Sequence, residues 1–102
     1  MKELVTREDR HQLDELCETI QQLIKEKKYE TGVEKVTQAI GEYPHAPHPH
    51  NLMGILLEIS GDKGGAMKHY RAAIALEPSY HPARANLYRN GDLSENSSRY
   101  TF

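Results

Sequence analysis

The chain has no tryptophan, one phenylalanine and one cysteine among its 102 residues. With Cys17 as the only cysteine, an internal disulfide is impossible, and we expect a protein of a reducing compartment. The first residues, MKELVTREDR, are too charged for a secretory signal peptide. No apolar run approaches the roughly 18 residues of a membrane span. The sequence therefore predicts a cytoplasmic protein that does not enter a membrane.

A large excess of charge of either sign is also missing, because 13 basic residues stand against 15 acidic ones for a formal net charge of -2. Such a chain has no long-range attraction to nucleic acid or to an anionic membrane, so we expect neither as a partner. Its length fits one small domain. Its apolar fraction of 37% lies below the usual share for a compact globule, which favours a thin or elongated architecture.

Motifs of catalytic chemistry are missing too. There is no glycine-rich phosphate loop, no His and Glu pair at metalloprotease spacing, and no serine-centred elbow. Gly64 and Gly65 precede a predicted helix but lack the lysine and hydroxyl of a phosphate loop. Cys17 lies in the middle of a predicted helix, where a small core residue is favoured over a nucleophile paired with a histidine. The sequence thus predicts no enzymatic activity and no cofactor.

Four histidines form the one cluster with metal-binding potential, namely His45, His48, His50 and His81. Imidazole suits zinc, copper or nickel. However, His48 and His50 are two residues apart, which neither a helix nor the proline-rich turn places on one side, and no cysteine or acidic residue is near. Solvated turn histidines are the favoured interpretation, so we assign no metal residues. A histidine-cluster metal binder is kept as a third hypothesis.

What the chain does contain is helical periodicity over most of its length. Thr6 and Asp9 resemble a capping box at the start of the first helix. Gly61 supplies the left-handed residue that ends the third, and Asp62 can cap the fourth. Residues 91–102 are polar and aperiodic, which predicts a flexible tail. The predicted helices cover residues 6–27, 29–42, 48–60, 63–76 and 79–90.

An internal repeat relates the two halves of this helical region. Pro44 and Pro78 are 34 residues apart, and a shift of that size aligns several apolar or small residues. These pairs are Leu23 with Leu57, Gly32 with Ala66, Val36 with Tyr70, Ala39 with Ala73, and Ile40 with Ile74. A period of 34 residues matches the tetratricopeptide class of helical hairpins.

The second unit, residues 50–78, resembles the tetratricopeptide repeat (TPR) family closely. Gly54 is small enough for two helices to approach, and Tyr70 fills the space between them. The matching residues are Met53-Gly54 at the usual Leu-Gly, Leu57 at the usual Tyr, Gly61 at the turn, and Ala66, Tyr70, Ala73 and Pro78 at the usual Ala, Phe, Ala and Pro. The first unit, residues 13–44, looks degenerate, with Ile20 in place of the small glycine.

The resemblance implies an all-α fold over residues 1–90. We expect a short right-handed superhelical array of antiparallel helix pairs, with about two TPR-like units and a C-terminal capping helix. In this family the first helices of successive units line a concave groove that takes a peptide or a helix of a partner protein. The resemblance therefore implies protein binding as the function.

Carried onto this chain, the resemblance places ten residues along that groove. They are Asp14, Cys17, Gln21 and Ile24 from the first helix, His48, Asn51, Ile55 and Glu58 from the third, and Ala85 and Arg89 from the fifth. Ile24 and Ile55, with Ile59 as a further candidate, would give apolar contact, while Gln21 and Asn51 would bond a peptide backbone. The alternative is that the isoleucines pack only against the tail or neighbouring helices. Because Cys17 stands where a carboxylate clamp needs lysine, binding of a chaperone's terminal carboxylate is not implied.

Fewer than three units are marginal for stability, because each unit buries its face only against its neighbours. A second hypothesis is therefore a self-associating structural or accessory subunit, a homodimer formed through exposed ends around Leu4, Val5 or Tyr88. An interaction module predicts that substituting Asn51 or Ile55 abolishes partner binding and leaves the fold intact. A purely structural subunit predicts no such separation.

Overall fold

The computed structural model describes residues 5–90 and 100–102, which contain five α-helices and no strand. They are α1 (Arg7–Lys25), α2 (Tyr29–Glu42), α3 (His48–Ile59), α4 (Lys63–Leu76) and α5 (His81–Asn90). The predicted all-helical fold is thus confirmed for this part of the chain. Thr6 and Asp9 form the predicted capping box, in which each side chain accepts the backbone N–H of the other, at 3.0 and 3.2 Å.

The turns inside the two hairpins repeat with the predicted period. α1 is followed by Lys27 at φ 60°, and α3 is followed, 34 residues later, by Gly61 at φ 96°. Each left-handed residue lets the next backbone N–H bond back to the end of the helix. These bonds are 2.8 Å long in both turns, from Lys28 to the Leu23 carbonyl and from Asp62 to the Leu57 carbonyl. The first hairpin therefore makes the same turn as the second without a glycine.

The connections that follow the two hairpins repeat as well. After α2, the Ala46 N–H donates to the Tyr43 carbonyl at 3.1 Å. After α4, the Tyr80 N–H donates to the Glu77 carbonyl at 2.9 Å, and both of these residues lie 34 positions further on. Ala46 and Tyr80 are both buried. The repeat seen in the sequence is therefore also a repeat of backbone hydrogen bonds.

Close packing of α3 on α4 forms the centre of the molecule. Gly54 faces the buried ring of Tyr70, and a Cβ atom built on Gly54 would lie 2.5 Å from that ring. Real carbon atoms do not approach so closely, so glycine is needed where the two helices meet. At the start of α4, Gly65 N–H donates to the Asp62 carboxylate at 2.9 Å, which caps the helix as predicted.

The helices form two layers. In one layer, α3 lies between α1 and α5 and contacts both of them. In the other layer, α2 contacts α1 and α3, and α4 contacts α3 and α5. The radius of gyration is 13.0 Å, close to the value of about 13 Å for a compact domain of this length. The molecule is compact by this measure, yet its extents of 43 × 28 × 18 Å make it thin in one dimension. The expectation of a thin or elongated molecule is therefore confirmed in part.

Candidate functional site

Residues 100–102 lie against the layer formed by α1, α3 and α5, and we call the surface that they cover the central groove. Its side chains come from three helices: Ile24 from α1, Asn51, Ile55 and Glu58 from α3, and Asn86 and Arg89 from α5. A flexible tail is the prediction for residues 91–102. Residues 91–99 of that stretch lie outside the described residues, and the last three contact the helices.

Two asparagines with no exposed surface, Asn51 and Asn86, hold the backbone of Thr101. Asn86 Nδ2 donates to the Thr101 carbonyl at 2.8 Å, and Asn86 Oδ1 accepts the Thr101 N–H at 2.9 Å. Asn51 Nδ2 donates to the same carbonyl at 3.0 Å, and Asn51 Oδ1 accepts from Asn86 Nδ2 at 2.9 Å. The two buried amides are thereby satisfied, as buried polar groups must be. Any residue except proline presents the same backbone groups.

A chain of polar contacts sets the position of Arg89 next to Tyr100. Arg89 binds Glu58 through two guanidinium nitrogens, at 2.8 and 2.7 Å. Only 13% of the Arg89 side chain and 12% of the Glu58 side chain are exposed. The Tyr70 hydroxyl donates to the same carboxylate at 2.7 Å. Such a bidentate pair fixes the plane of the guanidinium. The central carbon of the Arg89 guanidinium lies 4.8 Å from the centroid of the Tyr100 ring, which is the geometry of a cation–π contact.

Phe102, the only phenylalanine of the chain, lies at the junction of two apolar clusters. Together with Ile24 it packs against both clusters, of which one contains the fully buried Ile55 and Tyr70. Ile24 and Ile55 thus belong to an apolar cluster shared with tail residues and with α4, which agrees with the alternative stated above for them. The other cluster consists of Ile20, Val36, Leu52, Met53 and Leu56.

The burial of Ile55 corrects one expectation. Removing a fully buried isoleucine side chain costs about 2–5 kcal/mol, because it leaves a cavity. An Ile55→Ala variant would therefore weaken the fold together with the groove, contrary to the clean separation that the sequence suggested. Asn51 and Asn86 are better positions for testing the groove.

The predicted groove residues Asp14, Cys17 and His48 lie around Tyr80. The His48 and Tyr80 rings meet edge to face, with centroids 4.9 Å apart. Burial, and then the charge of Asp14, raise the pKa of the Cys17 thiol to about 11, although the hydrogen bond from Tyr80 lowers it. A thiol that stays protonated at neutral pH is a poor nucleophile. Gln21 is exposed.

Sequence reasoning missed Asn86 and the three tail residues. A shift of 34 residues from Asn51 leads to Ala85, whereas the amide that meets Asn51 is one position further on, at Asn86. A signal for the tail was present, because Tyr100 and Phe102 are aromatic residues at a spacing of two. In an extended segment, side chains two residues apart lie on the same face.

The histidines do not form the cluster considered from the sequence. His50 instead meets His69 of α4, with the two Nδ1 atoms 3.0 Å apart and the rings stacked. Burial lowers the pKa of both imidazoles, and the charge of His69 lowers that of His50 further. Within residues 5–90 and 100–102, no group of three or more His, Cys, Asp or Glu side chains is placed to hold a metal ion.

A second depression lies between α2 and α3, outside the central groove. Its volume is about 540 Å³, and its lining includes Tyr29 and Val33, each more than a third exposed. Of the residues considered for the predicted groove, it contains only Ile59. Of the ends proposed for a homodimer, Leu4 lies outside the described residues and Tyr88 is 72% exposed.

Comparison of the chain with protein-family models, with curated proteins and with solved structures found no match. The likeness to the TPR family therefore rests on the residues quoted above and on the repeated turns. None of the described helices combines the length and the apolar character that crossing a bilayer requires.

Proposed function

We propose that this protein is a TPR-like interaction module that binds an extended segment of a partner protein in its central groove. The observation that carries the proposal is the set of hydrogen bonds from Asn51 and Asn86 to the backbone N–H and C=O of Thr101. The resemblance of residues 50–78 to the family supports it independently. The right-handed superhelical arrangement, the cytoplasmic location and the absence of catalysis belong to the same proposal.

The amide pair supports peptide binding because an extended segment arrives with its backbone groups unpaired. Each backbone N–H and C=O removed from water needs a new partner, and the two asparagines offer one acceptor and two donors in the centre of the groove. A helix could not be held in this way, since its backbone groups are bonded internally. The chemistry of the groove centre thus favours an extended segment over a partner helix.

The test uses the full chain with Tyr100→Ala and Phe102→Ala, which removes both aromatic contacts of the tail and keeps every helix. A displayed library of random hexapeptides is selected on this protein, and enriched peptides are titrated by fluorescence anisotropy. We expect their affinity to fall at least fivefold when Asn86→Ala is added, since two backbone hydrogen bonds are lost. The matched control is Gln38→Ala, which removes an exposed amide from α2 and should change nothing.

Two results would contradict the proposal. One is a selection that yields no binding peptide. The other is a set of binders whose affinity is the same with Asn86 and with alanine at that position. In either case the asparagine pair would serve only the packing of α3 on α5.

A further inference from the structure

The residues that cover the central groove also indicate what the groove selects. Resting on the proposed function, we infer that the partner segment carries an aromatic side chain on each side of one residue with a free backbone N–H. We further infer that Tyr100, Thr101 and Phe102 occupy this place until such a segment displaces them. The inference names both the chemistry of the partner and a competitor built into the chain.

The first aromatic position is defined by Arg89. Its guanidinium is fixed by Glu58 and lies over the face of the Tyr100 ring, at 4.8 Å from the centroid. An aromatic face attracts a cation, whereas an aliphatic side chain offers no such attraction. A basic side chain at this position would meet Arg89 as a like charge. The contact therefore favours an aromatic residue and disfavours lysine or arginine.

The second aromatic position is defined by apolar surface. Phe102 packs against both apolar clusters, one of which contains Ile55, and Ile24 packs against the same two clusters. A charged side chain placed there would lose its hydration without gaining a partner, which is costly. A large apolar ring fills the same space at a favourable free energy, because burying a phenylalanine side chain contributes about 1.5–3 kcal/mol.

The position between the two aromatic residues is recognised only through its backbone groups. Asn51 and Asn86 bond the N–H and C=O of Thr101. Proline lacks the N–H, so it is the one residue that this contact excludes. The selected pattern is therefore an aromatic residue, any residue except proline, and a second aromatic residue.

The tail is a strong competitor because it is attached to the protein. Nine residues separate Asn90 from Tyr100, and a short tether of this kind gives an effective concentration on the order of 1 mM. If the tail segment itself has an intrinsic Kd of about 0.1 mM, it would weaken the apparent affinity of a competing free peptide by about tenfold. A partner must therefore bind more tightly than the tail, or be locally concentrated, before it enters the groove.

The experiment compares two full-length proteins with one peptide. The peptide is fluorescein-labelled SSRYTF, the sequence of residues 97–102, with an amidated end that adds no new charge. It is titrated against the wild type and against the Tyr100→Ala, Phe102→Ala variant. We expect about tenfold tighter binding to the variant, whose own tail competes poorly. Tyr88→Ala is the matched control, because it removes an exposed tyrosine from α5 and should leave the affinity at the wild-type value.

Peptide variants test the selection itself. SSRATA and SSRYPF, which lack the aromatic rings and the central N–H respectively, should each bind at least fivefold more weakly than SSRYTF. Equal affinity of SSRYTF for wild type and double variant would overturn the competition, and equal affinity of SSRATA would overturn the aromatic selection. If SSRYTF binds neither protein while library peptides still bind through Asn86, the inference fails and the proposed function stands.

The oligomeric state separates a tail of the same chain from the tail of a second copy. Sedimentation of the wild type at micromolar concentration should give a monomer. A dimer that dissociates when Tyr100 and Phe102 are replaced by alanine would show that a second copy fills the groove, and it would overturn the assignment of this surface to a different partner.

Discussion

Replacing Asn86 by alanine is the most direct test of how the groove holds a peptide backbone. The substitution removes the amide that donates to the Thr101 carbonyl and accepts the Thr101 N–H. It also removes the donor to Asn51 Oδ1. Alanine suits the interior of α5, so the change acts through the lost hydrogen bonds and not through the helix.

The expected magnitude follows from these three bonds. Two of them join α5 to the tail, and each contributes about 0.5–1.5 kcal/mol net, so docking of the tail should weaken by about 1–3 kcal/mol. That corresponds to a shift of about 5–150-fold in the docking equilibrium. The third bond joins Asn86 to Asn51, and its loss should lower the free energy of unfolding of the whole molecule by only about 0.5–1.5 kcal/mol.

Amide hydrogen exchange measured by NMR separates these two effects. Exchange of the Thr101 N–H reports local opening of the tail, while the backbone amide of Tyr70, in the middle of α4, reports opening of the core. We expect Thr101 to lose protection by about 5–150-fold and Tyr70 to lose less. In Gln38→Ala, a matched deletion of an exposed amide, both residues should exchange as in the wild type.

The reasoning would be refuted if the Thr101 amide exchanged at the same rate in Asn86→Ala and in the wild type. It would also be refuted if Thr101 and Tyr70 lost the same free energy of protection, since the tail would then open only when the whole core opens. Neither result is compatible with a tail held locally by two hydrogen bonds from Asn86.

Two further predictions concern the fold. Gly54→Ala should lower the free energy of unfolding by about 1–3 kcal/mol in urea titrations, since its Cβ would overlap the Tyr70 ring. Gly41→Ala, with nothing within 4 Å of its Cβ, should instead raise it by about 0.5–1 kcal/mol; equal effects at both sites would contradict the packing argument. Burial lowers the pKa of His50 and His69, so the unfolded chain binds more protons near pH 6.5, and stability present at pH 7.5 should be lost as the pH falls toward 5.5. Replacing both histidines by asparagine should reduce this pH dependence, and an unchanged dependence would show that other groups cause it.

The helices and their repeat could be predicted because their signals are local. Apolar residues at helical spacing, the Thr6 and Asp9 capping box, and the prolines at positions 44 and 78 each act within a few residues. The contact between Gly54 and Tyr70 was also predictable, because the repeat pattern places a small residue opposite a large one. A glycine at the turn is one such signal, but the turn forms without it in the first hairpin, where Lys27 takes the left-handed conformation.

The groove was only partly predictable because its contacts join distant residues. Asn51 and Arg89 follow from the repeat, but Asn86 does not, since one position separates it from the residue that a strict shift of 34 selects. The docking of Tyr100 depends on Arg89, which depends on Glu58, and no local pattern links these positions. A polar, aperiodic linker also hides the short aromatic segment that follows it.

The core and the groove are joined through Tyr70. Because Gly54 has no side chain, the Tyr70 ring can lie between α3 and α4, and its hydroxyl then reaches Glu58 at 2.7 Å. Glu58 in turn orients Arg89 toward Tyr100. A substitution such as Tyr70→Phe, which keeps the ring and removes only the hydroxyl, should therefore affect the groove more than the core. In the SSRYTF titration of the Tyr100→Ala, Phe102→Ala protein, whose tail competes poorly, adding Tyr70→Phe should weaken binding, because Glu58 loses one of the contacts that hold Arg89 in place. Unchanged binding would mean that the two bonds from Arg89 are enough to position the carboxylate.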